Sequence, residues 1–186
     1  MNMLCHAFRG RHEEKKKISE EESKIGEHAL NVLYRWNIAP GTQEDGTMDP
    51  NKLRRWFFTV KTASQEKDRY EVAMQVIGSA FFYSPPDSDG LFIHRSVAEL
   101  LHEEGDDLRN GYYHGAINSR GAHFVDPSGA PEFALEKKYR EYATQIDELG
   151  LFRFAEKLRL LAKFYHSVAL QNIENNRKLP EVQNLE

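Results

Sequence analysis

Cysteine is nearly missing from this sequence: Cys5 stands alone among 186 residues, so no disulfide can form within the chain. Without cross-links, a reducing, cytoplasmic setting is the expectation. No Asn-x-Ser/Thr acceptor occurs, and no apolar run approaches the ~18 residues that a membrane-spanning helix needs. The first residues lack the apolar core of about 7–15 residues that a secretory signal carries. Positive charge is not in excess either. Net charge is −4, whereas a nucleic-acid binder usually shows a basic domain or stripe. One basic cluster (Arg9, Arg11, Lys15, Lys16, Lys17) runs straight into Glu20, Glu21 and Glu22, which largely cancel its field. A membrane is therefore set aside as a partner, and a nucleic-acid role ranks third, resting only on that basic cluster.

Familiar catalytic signatures are also missing. His102-Glu103-Glu104-Gly105-Asp106 begins like a zinc-protease motif but has Asp where the second His must stand. Asp87-Ser88-Asp89-Gly90 starts like a calcium loop, yet its glycine comes fourth rather than sixth and no glutamate closes it. No phosphate-binding loop, dinucleotide fingerprint or Gly-x-Ser-x-Gly elbow is present. No cofactor or metal is called for. Alternation with period two, the mark of a half-buried strand, is never sustained.

What is present is helical. Hydrophobic residues make up 40% and aromatics 11% of the chain, too much for disorder. A chain of this length can bury roughly 70% of its unfolded surface, enough for a core. Residues 1–17 read as a flexible charged leader, 18–175 as a helical domain and 176–186 as a frayed tail. Ser19 with Glu22 has capping-box spacing, and Ile25, Ala29, Val32, Leu33 and Trp36 continue a helix that stops before Pro40-Gly41. Asp49-Pro50 opens a second helix as N-cap and first residue, with Leu53, Trp56, Phe57 and Val60 on its apolar face. Further helices are predicted over 65–83, 91–104 and 108–118. Gly111 and Gly115 weaken the last of these by about 1 kcal/mol each. Pro131 opens a helix with a Leu135, Tyr139, Tyr142, Ile146, Leu149 stripe. Gly150 divides it from a final helix on Leu151, Phe154, Leu158, Leu161, Tyr165 and Val168. The two should form an antiparallel hairpin. The expected fold is all-α: about seven helices packed as antiparallel pairs, in a single bundle or short irregular helical array.

The richest stretch for chemistry is the irregular connector at 118–131. It belongs to a loose constellation of His94, Arg95, His114, Arg120, His123 and Asp126. Three residues separate His123 from Asp126, so the carboxylate could orient the imidazole as a general base. His94, His114 and His123 could alternatively gather a metal. Simpler roles account for the same residues. Asp126-Pro127-Ser128-Gly129 is β-turn chemistry, and His94 falls on the apolar stripe with Leu91, Ala98 and Leu101 as a hydrogen-bonded core histidine. Asp49 caps a helix, and Glu44, Asp45 and Gly46 suit a turn. Trp56, Phe57, Phe58, Phe81, Phe82 and Tyr83 point around more than one helix face. They are expected to be mainly core, with Trp56 and Phe82 as candidates for a binding patch.

Three segments carry a resemblance: Pro40-Gly41-Thr42-Gln43-Glu44-Asp45-Gly46, Asp89-Gly90-Leu91-Phe92-Ile93-His94-Arg95, and Asn118-Ser119-Arg120-Gly121-Ala122-His123-Phe124-Val125-Asp126-Pro127. Together they resemble the C-terminal helical region of large, poorly characterised bacterial proteins, over about residues 36–168. The resemblance assigns no activity to any residue. It implies a detached piece or stand-alone version of such a C-terminal module. The leading expectation is a helical interaction or scaffolding module that works with a protein partner or with copies of itself. The alternative is a hydrolase-like or metal-dependent enzyme using the His123/Asp126 loop.

Overall fold

The computed structural model describes residues 36–122 and 124–178. The leader, most of the capped first helix and the end of the tail lie outside the described residues, as does His123. Six helices and no strand occur among the described residues: α1 (Pro50–Gln65), α2 (Tyr70–Phe81), α3 (Arg95–Glu103), α4 (Asp106–Asn118), α5 (Ala130–Glu148) and α6 (Phe152–Lys178). The fold is all-α, and the helices pack in pairs. Two compact units divide the chain, one ending at Ser119 and the other starting at Arg120.

In the first unit the chain reaches α1 through the turn that Pro40-Gly41 predicts. A loop closed by a bridge between Thr42 and Met48 follows. Within it, Asp45 accepts hydrogen bonds from the Thr47 hydroxyl (2.7 Å) and backbone N–H (2.9 Å). Asp49 then caps α1 by accepting from the backbone of Asn51 and Lys52. Leu53, Phe57 and Val60 are buried, whereas Phe58 beside them faces solvent. The helix predicted over 65–83 is shorter, because α1 claims Gln65 and four non-helical residues, Glu66 to Arg69, follow it. Asp68 takes the left-handed conformation (φ 51). Its N–H bonds to Gln65 O and the N–H of Arg69 to Ser64 O, the paired bonds of a Schellman motif. Only at Tyr70 does the chain become helical again.

α2 and α4 cross at very short range, and glycine is the reason. A Cβ placed on Gly78 would lie 2.0 Å from the Leu108 carbonyl oxygen, and one on Gly111 2.0 Å from that of Gln75. The glycines that lower helix propensity in α4 are thus the residues that let it approach α2. Phe82 lies edge-on to Tyr112 across the same pair. α3 is joined to α1 by ion pairs from Arg54 to Glu99 and Glu103, and Lys61 reaches Glu104 just beyond α3. The end of α3 is closed by a buried arginine: Nη1 of Arg109 donates to the carbonyls of Leu101, His102 and Glu104.

The second unit is the expected antiparallel hairpin of α5 and α6. Gly150, with φ 76, is the left-handed residue of a second Schellman turn: its N–H bonds to Asp147 O, and that of Leu151 to Ile146 O. α6 continues to Lys178, three residues beyond the predicted end of the helical domain. Phe154, Leu158, Leu161, Tyr165 and Ala169 form its buried stripe. The facing stripe of α5 differs from the prediction. Glu132, Glu136, Tyr139, Ala143 and Ile146 are buried, whereas Leu135, Tyr142 and Leu149 flank the seam, half-buried. Two glutamates therefore occupy core positions of the hairpin.

Candidate functional site

The connector begins at Arg120 and ends in a tight turn. Asp126 accepts from the Ser128 hydroxyl (2.7 Å) and backbone N–H (2.8 Å), while Gly129 N–H bonds to Asp126 O (3.0 Å). These bonds, the hydroxyl's first, hold the Asp126 carboxyl below its ordinary value. The predicted β-turn is present, with Gly129 left-handed at φ 68. A Cβ there would meet the Ala169 carbonyl oxygen of α6 at 2.8 Å, so glycine is needed both for the turn and for the close approach.

Arg120 is tied to the hairpin. Its guanidinium donates to Glu132 Oε1 (3.0 Å) and lies over the Tyr165 ring at 5.7 Å. Glu132 is 1% exposed, and a buried carboxylate is costly unless a cation and hydrogen bonds compensate it. Arg120 supplies that compensation from the chain just before the hairpin. Beneath it Tyr165 stacks on Tyr139, with ring planes 4° apart. Burial, together with the negative character of Tyr165 and Tyr142, pushes the Tyr139 hydroxyl well above its ordinary pKa.

One turn along α5, Glu136 forms a second polar node. Its Oε1 accepts from Arg140 Nε (2.9 Å) and Nη2 (2.7 Å), and its Oε2 lies 2.8 Å from His166 Nδ1 on α6. The hydrogen bond from His166 outweighs burial and, with Arg140, holds the carboxyl below its ordinary value. Phe133 lies edge-on to the imidazole. Arg120, Glu132, Glu136, Arg140 and His166 thus form a polar seam along an otherwise apolar helix pair.

The remaining sequence candidates have local roles in the first unit. His94 is not on the core face of a helix. α3 starts at Arg95, four residues later than predicted, and His94 is its N-cap, with Nδ1 accepting from Ser96 N–H at 3.2 Å. The loop before it completes the cap: Asp87 accepts from the backbone N–H of Arg95 (2.7 Å), and Asp89 accepts from the Arg95 guanidinium (2.7 Å). Burial raises the Asp87 carboxyl, but the N–H groups of Arg95 and Ser88 outweigh it, and the net shift is downward. The apparent calcium loop is a helix cap. His114 is exposed on α4, its ring edge-on to Tyr113. Trp56 is half-buried against Trp36, and Phe82 half-buried against Tyr83 and Tyr112.

Among the described residues, no three His, Cys, Asp or Glu side chains are grouped to hold a metal ion. No helix of these residues is long and apolar enough to cross a membrane. Sequence reasoning missed Glu132, Glu136, Arg140 and His166. The available signal was the spacing 132, 136, 139, 143, 146, a continuous three-and-four stripe once charged residues are allowed into it. No protein-family model, curated protein or solved structure matches this chain.

Proposed function

We propose that this chain is a helical protein-interaction or scaffolding module, a stand-alone version of a C-terminal module of the large bacterial proteins it resembles. It works in the cytoplasm with a protein partner or with copies of itself. The observation that carries this proposal is the connector. Phe124 is fully exposed and Val125 beside it is 62% exposed, in a loop otherwise built of small and polar residues. Scattered single apolar residues on a surface are ordinary, but an adjacent aromatic and branched pair held in water is less so. Burying such a phenylalanine on a partner is worth about 2–3 kcal/mol, enough for a binding anchor. Phe58 and Tyr83, each over 40% exposed, add apolar surface on the first unit.

Size-exclusion chromatography with light scattering, run across a concentration series, tests self-association. Immobilised protein exposed to lysate tests for another partner. Association that weakens in the double variant Phe124→Ser, Val125→Ser supports the proposal. A strictly monomeric protein that captures nothing overturns it, as does association indifferent to both substitutions.

A further inference from the structure

The node at Glu136 fixes more than the packing of two helices. An ionised carboxylate has only lone pairs to offer, and the surroundings of Glu136 favour its ionised form. The 2.8 Å contact with His166 Nδ1 therefore requires that nitrogen to carry a proton. In the neutral ring the remaining lone pair lies on Nε2. No hydrogen bond claims Nε2 among the described residues, and the side chain is 45% exposed. His94 is held the opposite way, because its Nδ1 accepts a hydrogen bond and the proton of its neutral ring lies on Nε2.

A carboxylate-oriented imidazole with a free Nε2 can ligate a metal, move a proton or attack an electrophile. Among the described residues, no group of three His, Cys, Asp or Glu gathers around it to hold a metal. Its neighbours favour an electrophile that carries negative charge. Arg140, 63% exposed, is bonded to the other oxygen of Glu136 with guanidinium hydrogens to spare. Lys163 lies three residues before His166 on α6, which places the two on one face, about 5–6 Å apart at Cβ. Ser167 follows, its hydroxyl bonded to Lys163 O, and Phe133 covers one edge of the ring. Among the described residues, Glu136 is the only carboxylate bonded to the imidazole, and Arg140 offsets its charge.

We infer that His166 is a phosphoryl-acceptor histidine, taking a phosphoryl group on Nε2 from an acyl phosphate or a phosphoramidate. The Nε2 lone pair attacks phosphorus as the bond from phosphorus to the donor's oxygen or nitrogen breaks. The bonding pair leaves with the carboxylate or with ammonia. The Nδ1 proton stays where it is, and the positive charge that develops on the ring is balanced by Glu136. Glu136 is a positioning residue that sets the tautomer, and Arg140 and Lys163 supply nearby positive charge for an anionic donor. The inference does not depend on the interaction module proposed above.

The test incubates the full chain with phosphoramidate in one arm and acetyl phosphate in the other. Phosphorus NMR and peptide mapping under alkaline conditions then locate the N-phosphoryl group. Labelling at His166 ahead of the other seven histidines is expected, and the arm that labels identifies the donor class. Label should vanish from this position in His166→Gln and form about tenfold more slowly in Glu136→Gln, as when the group orienting a histidine is removed. Nitrogen NMR of the unmodified protein should show His166 protonated at Nδ1. The inference is overturned if neither donor labels His166, or if label spreads evenly over the histidines. It is also overturned if helical Glu136→Gln labels at the wild-type rate. Should that variant fail to fold, a neutral His166 ring protonated at Nε2 in the wild type overturns it independently.

Discussion

Gly111→Ala puts the close crossing of α2 and α4 to a direct test, because two effects of opposite sign act at one position. In an isolated helix the substitution is favourable by about 1 kcal/mol, since alanine loses less backbone entropy than glycine. In this protein the new Cβ would lie 2.0 Å from the Gln75 carbonyl oxygen and 2.7 Å from its carbon. The obstacle is helix backbone, which cannot rotate aside as a side chain can. Reaching ordinary contact at 3.4 Å requires about 1.4 Å of separation between the two helices along that line. Overpacking a well-filled interior costs about 1–3 kcal/mol, and a rigid neighbour places this site at the upper end. The net expectation is a loss of about 2 kcal/mol, taking a 3 kcal/mol cost against the 1 kcal/mol propensity gain. Gly115→Ala is the graded control, because its Cβ would meet the Ser79 carbonyl oxygen at 2.9 Å, a milder conflict. Urea denaturation followed by far-UV circular dichroism should rank wild type above Gly115→Ala and Gly115→Ala above Gly111→Ala. Gly111→Ala as stable as wild type, or more so, would refute the reasoning.

Other outcomes follow from the same structure. Asp49→Ala removes the side chain that accepts from Asn51 and Lys52 N–H and should cost about 1 kcal/mol in urea denaturation, with Asp49→Asn retaining most of the stability. Arg120→Ala takes the cation from Glu132 and should cost about 3 kcal/mol, the low end for breaking a buried pair, because Arg120 keeps some contact with water. Combining it with Glu132→Leu should recover part of that loss, and no recovery would contradict the pairing. For pH, the Glu136 carboxyl lies below its ordinary value of 4.5 in the folded protein, so the unfolded chain takes up the proton more readily. The stabilisation from this group is complete above that ordinary value and is lost as pH falls through the depressed one. Denaturation midpoints between about pH 5 and about pH 3 should therefore fall less steeply in Glu136→Gln than in wild type.

Local chemistry made much of the helical framework legible. Asp49-Pro50, Gly150 and Asp126-Pro127-Ser128-Gly129 each act within a few residues, and each stands where the sequence places it. The cap on α3 was harder to read, because it is built from Asp87, Asp89 and His94 together. An apolar period running through Leu91 and His94 hides that arrangement. Asp68 in a left-handed cap likewise divides what periodicity presents as one helix. The polar seam was the least legible part. Arg120 and Asp126 were visible as loop residues of the right chemistry, but nothing in the apolar pattern of α5 singled out Glu136. What makes it otherwise is His166, thirty residues away.

The sequence by itself determined that the described chain is helical and where most helices begin and end, because period, capping residues and turn glycines act through bonds a few residues long. Tertiary structure alone decided which glycines are contacts rather than weaknesses and which glutamates are core rather than surface. Those properties depend on what lies across the interface. Gly111 is set by the carbonyl of Gln75 and Glu136 by the imidazole of His166, and neither neighbour is adjacent until the helices have paired.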